Sequence, residues 1–99
     1  MGYRLSRKAE EDIIGLIVEG IERFGQSQAE HYQVLLEQQL QSLAENPRMG
    51  RQRPELEPCV RVWPVMSHLI VYTVEDHDEV FVVRVCRKRE DWESEDQSL

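Results

Sequence analysis

A chain of 99 residues with 40% hydrophobic and 31% charged side chains has room for one domain with a real core, and it is too apolar for disorder throughout. The longest apolar run, Ile13 to Val18, covers six residues including Gly15, far short of the roughly 20 a membrane helix needs, and two cysteines are too few for a disulfide framework. The net charge of −7 is uneven: residues 1–46 carry −4, residues 47–89 carry +2 and residues 90–99 carry −5, so charge alone excludes no class of partner.

Tyr3-Arg4-Leu5 alternates as a short strand does. Arg4, Arg7 and Lys8 then run straight into acidic residues with no apolar stretch, unlike a secretory signal, so the expected compartment is the cytoplasm. Ser6 is placed to cap a helix over residues 6–24, where Ala9, Ile13, Leu16, Ile17, Gly20 and Phe24 recur at three- and four-residue spacing and Gly25 stops it. Ser27 and Glu30 match a capping box for a second helix over 27–46, with Ala29, Tyr32, Leu36, Leu40 and Leu43 as its stripe and Asn46-Pro47 as its end. A connection this short predicts an antiparallel helical hairpin.

Three of the four prolines fall in residues 46–58, which predicts an irregular loop. The period then changes to two. Strands are expected at 59–66, with Pro64 marking an edge or a bulge, at 68–75, and at 79–86, with a polar turn around His77. The expected fold is α+β: an N-terminal strand and an antiparallel helical hairpin packed on a small antiparallel sheet. Ile13, Leu16, Ile17, Tyr32, Leu36, Leu40, Leu43, Val60, Val62, Ile70, Tyr72, Phe81, Val83 and Val85 are the expected core. Residues 1–89 form the expected domain and 90–99 an acidic tail able to neutralise or screen the Arg87-Lys88-Arg89 cluster.

Metal chemistry has donors in His31, His68, His77, Cys59 and Cys86, but none of them is spaced as zinc ligands are, and both cysteines fit small core positions on strands. No metal or cofactor is expected. No nucleophile elbow, phosphate loop or zinc-protease helix motif occurs, and Met1-Gly2 with Ser6 matches only the loose myristoylation pattern. Arg84 interrupts an otherwise apolar strand, so it needs an acidic partner from the loop or tail, or else serves as an anion- or partner-binding group. The first helix carries a second apolar stripe, Ile14, Val18 and Ile21, beyond what one core layer uses. That stripe either sinks into a deep hairpin or marks an interaction site.

Tyr3-Arg4-Leu5-Ser6 with Ala9 and Asp12, Phe24-Gly25 before Gln28-Ala29 and Tyr32, Leu43-Ala44-Glu45-Asn46-Pro47 with Gly50-Arg51, His68 to Tyr72, and Val83-Arg84-Val85 together resemble the ParE toxins of the RelE/ParE superfamily, over residues 3 to about 91. The resemblance implies the same hairpin-on-sheet fold and a growth-inhibiting toxin of a type II toxin–antitoxin system associated with plasmid stabilisation. It implies DNA gyrase as the target and a ParD-like antitoxin as the neutralising partner, with no catalysis, no direct nucleic-acid readout and no membrane. The RelE branch instead cleaves mRNA on the ribosome with basic residues plus a late tyrosine or histidine. Here Arg87 stands where relatives often have histidine, and neither residue type follows His77. Arginine stays protonated and serves poorly as a general base, which favours the ParE branch over a nuclease or a degenerate binding module. On this reading Ile14, Val18 and Ile21 meet the antitoxin, and Arg61, Arg84 and Arg87 meet the target.

Overall fold

The computed structural model describes residues 2–54 and 59–87; the acidic stretch 90–99 lies outside them. Strand β1 (Tyr3–Leu5) leads into helices α1 (Arg7–Phe24) and α2 (Gln26–Glu45). Strands β2 (Arg51–Arg53), β3 (Val60–Val65), β4 (His68–Val74) and β5 (Val80–Arg87) follow, with a tight turn at Asp76–Asp78. The strands make one sheet in the order β1-β5-β4-β3-β2. Neighbours among β2 to β5 are antiparallel, but β1 runs parallel to β5. The sheet is therefore mixed rather than purely antiparallel. Alternation in a three-residue strand carries no information about its direction.

Ser6 caps α1 as its position predicts, its hydroxyl accepting from Ala9 N–H at 2.9 Å. The two helices are joined by Gly25 alone, at φ 95°, a conformation that L side chains rarely adopt. This abrupt turn starts α2 at Gln26, one residue before Ser27, so the expected capping box does not form. Glu30 instead accepts from Gln26 Nε2 at 2.9 Å. Gly20 faces Ala29 across the hairpin: a Cβ there would stand 3.5 Å from Ala29 Cβ, an ordinary contact. Gly15 has no such neighbour.

Leu36, Leu40, Leu43, Ile70, Tyr72, Val80, Val82 and Val85 are buried between the helices and one face of the sheet, and Ile13, Leu16 and Tyr32 pack against them. Phe81 and Val83, expected in this core, are only half-buried, and Val80 and Val82 take their place. The cause is a β-bulge: Tyr72 pairs with Val82 but Val71 with Arg84, leaving Val83 as the extra residue that inverts the alternation. Phe24, assigned to the core stripe, is 66% exposed at the last residue of α1. Cys86 is buried, whereas Cys59 is exposed. Pro64 does lie on an edge, since β2 covers β3 only through Val60–Val62.

Strand β2 forms where the prolines predict irregular loop. Arg51-Gln52-Arg53 has no apolar alternation to announce it, and its position is fixed from outside by Tyr72. The Tyr72 hydroxyl donates to Pro47 O at 2.6 Å and accepts from Gly50 N–H at 3.0 Å. A Cβ on residue 50 would stand 2.5 Å from that oxygen, so only glycine fits. Tyr72→Phe leaves both backbone groups unpaired, and we expect a loss of about 1–3 kcal/mol, read as a lower urea midpoint with an unchanged slope. An unaltered midpoint would mean that the loop closes without the phenol.

Candidate partner-binding site

The α1 helix is oriented by a set of bonds along the free edge of β5. Strand β1 ends at Leu5, opposite Val82, and α1 takes over from there. Ser6 N–H donates to Val82 O at 2.9 Å and Ser6 Oγ donates to Val83 O at 2.8 Å. Further along, Asp12 accepts from Val85 N–H at 3.0 Å and from Arg84 Nε at 2.7 Å and Nη2 at 3.3 Å. Helix α1 thus supplies an acid to Arg84; the loop at 55–58 and the tail, to which the sequence pointed, lie outside the described residues. Side chains of the helix substitute for the missing neighbour strand.

With Asp12 and Ile13 turned to the sheet, residues on the opposite side of α1 face solvent. Ile14, Val18 and Ile21 are 62%, 49% and 44% exposed, so the second apolar stripe is surface and the deep-hairpin alternative does not hold. Three aliphatic side chains spaced i, i+4, i+7 make one line along a helix, the footprint another amphipathic segment can match. Phe24, Val34 and Met66 add exposed apolar surface around a groove of about 1130 Å³ between the hairpin tip and the β3–β4 turn. Inside that groove, Tyr32 Oη donates to Val65 O at 3.0 Å and lies 2.8 Å from His68 Nδ1. A phenol has one proton, so all three groups are satisfied when His68 Nδ1–H donates to Tyr32.

The three predicted target-binding arginines do not form one patch. Arg84 and Arg87 line a small cleft together with Glu11, Asp12, Glu19 and His68. Arg87 pairs with Glu19, which it holds below the usual carboxylate range with help from Arg23. Arg61 lies beyond β4 and donates to Gly50 O at 2.8 Å and Arg48 O at 3.2 Å, helping to hold the loop before β2. His77 sits exposed in its turn at φ 62°, and among the described residues no cluster of three metal-ligating side chains occurs. No described helix is long and apolar enough to cross a membrane. Sequence reasoning missed Tyr32–His68 and the role of Asp12. For Asp12 a signal existed: a carboxylate sits between Ala9 and Leu16 on the face that otherwise enters the core.

The model of the family described as "ParE toxin of type II toxin-antitoxin system, parDE" matches residues 3–92. The chain belongs to this family. It is 37% identical over 70 residues to Toxin ParE1 of Mycobacterium tuberculosis, covering 71% of each chain. It is 32% identical over 81 residues to Toxin ParE1 of Caulobacter vibrioides, covering 82% of this chain and 84% of that one. A solved structure of a chromosomal ParDE system from P. aeruginosa shares the fold, with a TM-score of 0.74 and 21% identity over 88% of this chain and 95% of that one. The hairpin on a five-stranded sheet is thus the ParE fold, as the resemblance implied.

Burial raises the proton affinity of both Tyr32 and Tyr72, although Gly50 and Arg61 partly offset it at Tyr72. At pH below about 10 both folded and unfolded chains keep these protons. Above it the unfolded chain ionises first and binds fewer protons, so stability falls as pH climbs through the folded values. We expect urea midpoints to drop above pH 10, and to drop less steeply in Tyr32→Phe, where one of the two raised groups is gone.

Proposed function

We propose that this ParE-family toxin inhibits growth by binding and poisoning DNA gyrase, acts without catalysing a reaction itself, and is neutralised in the cytoplasm by a ParD-like antitoxin encoded beside it. The observation that carries the reading is the family match across residues 3–92, since gyrase poisoning is the activity that membership in the ParE branch implies. The P. aeruginosa neighbour belongs to a ParDE system, which supports an antitoxin of that kind.

Two features of the molecule agree with this reading. The Arg84–Arg87 cleft is matched by Glu11, Asp12 and Glu19, a poor setting for RNA phosphates, whose binding relies on uncompensated positive charge. Its histidine, His68, is engaged with Tyr32 rather than poised over an open basic surface. The exposed line of Ile14, Val18 and Ile21 gives an antitoxin helix an apolar track, each side chain offering about 1.5–3 kcal/mol on burial, less the cost of ordering the partner. The role in stabilising a plasmid follows from the same pairing of toxin and antitoxin.

Induction in a sensitive bacterium tests the target. Gyrase poisoning predicts trapped gyrase–DNA cleavage complexes and DNA-damage signalling. Rapid translation arrest with cut mRNA would replace it by the ribonuclease reading, and no growth defect would leave only a binding module. For the partner surface, replacing Ile14, Val18 and Ile21 together by polar residues should leave the isolated domain folded and weaken antitoxin binding by at least roughly tenfold. Unchanged affinity would remove this face from the interface.

A further inference from the structure

Strands β3 and β4 are joined by a two-residue hairpin turn, Met66-Ser67, between the paired Val65 and His68. Met66 takes φ 56°, and Ser67 is not among the residues with positive φ. A turn with positive φ at its first residue alone ordinarily takes glycine there. The turn is held from both sides, because Tyr32 of α2 bonds Val65 O before it and His68 Nδ1 after it. Turn chemistry therefore does not account for methionine at this position. A backbone conformation that disfavours a side chain points to a use for that side chain. Met66 is 68% exposed on the wall of the groove beside the hairpin tip, whereas Met49 packs against the core.

We propose that Met66 is an antitoxin contact that peroxides switch off by oxidising its sulfur. The proposal rests on the antitoxin reading of this surface and adds its regulation. A thioether is a soft, adaptable apolar group suited to a partner's apolar side chains. Its sulfur lone pair attacks one oxygen of hydrogen peroxide, so that an S–O bond forms and the O–O bond breaks. The proton of the transferred hydroxyl passes to the departing hydroxide, leaving methionine sulfoxide and water. Sulfur is oxidised by two electrons, the peroxide is reduced by two, and no other reactant is needed. The product is polar, and methionine sulfoxide reductases reverse it. An S=O group buried against an apolar partner without a hydrogen bond is costly, so the oxidised toxin binds less well. Exposure directs the reaction to Met66 rather than to Met49. Oxidising conditions thereby free the toxin with the antitoxin still intact.

The test treats the full chain with dilute hydrogen peroxide, removes the oxidant, and titrates it with the ParD-like protein encoded beside it. Peptide mass mapping should show Met66 oxidised roughly tenfold faster than Met49. The treated toxin should bind roughly tenfold more weakly, and methionine sulfoxide reductase should restore the affinity, which separates this effect from cysteine oxidation. Met66→Leu keeps an apolar side chain without sulfur and should bind alike with and without treatment. Met66→Gly suits the turn and removes the contact, so its urea midpoint should be no lower than that of the parent while its affinity falls. Equal oxidation of Met49 and Met66, unchanged affinity after oxidation at Met66, an undiminished peroxide effect in Met66→Leu, or full affinity in Met66→Gly each overturn the proposal alone. Failure of the untreated chain to bind overturns the antitoxin reading and the proposal with it.

Discussion

The free edge of β5 is the constraint around which the rest is arranged. A strand paired on one side presents backbone groups that must find partners on the other, and β1 supplies them only as far as Val82. Beyond that point Ser6 bonds Val83 O and Asp12 bonds Val85 N–H, so a helix finishes what a strand began. The Asp12 carboxylate also holds Arg84, with the two side chains 11% and 29% exposed. Removing Arg84 leaves the Asp12 carboxylate partly buried without this guanidinium, which is where a pair of this kind exerts its effect.

That edge closure sets the rotation of α1, and the rotation decides which residues the protein shows. Ala9 and Ile13 enter the core, while Ile14, Val18 and Ile21 have no sheet to cover them. An apolar line left outside a small domain is a liability unless something binds it. On the reading proposed above the occupant is an antitoxin, and the site is carried by a helix rather than by a loop. The hairpin turns at Gly25, and Gly20 faces Ala29 where α1 packs on α2 over the same stretch.

Most of this was legible in the residues. Periodicity located both helices and strands β3 to β5, and Ser6, Gly25 and Asn46-Pro47 marked their ends correctly. The exposed stripe was visible as three aliphatic residues in excess of what one core layer needs. Features that depend on distant pairing were not legible. The bulge at Val83 swaps Phe81 and Val83 for Val80 and Val82 without changing local composition, and β2 is a strand because Tyr72 and Arg61 hold its neighbourhood, not because of its own residues. Arg84 announced its need for an acid, but a carboxylate 72 positions earlier in the chain could not be singled out from the nineteen available.

The measurement that bears most directly on this account is a double-mutant cycle on Asp12 and Arg84 in urea. Asp12→Ala and Arg84→Ala should each destabilise the domain, and the double variant should lose less than the two losses added, by about 1–3 kcal/mol. Strictly additive losses would show that the pair does not fix α1 on β5, and the orientation of its exposed stripe would then need another cause.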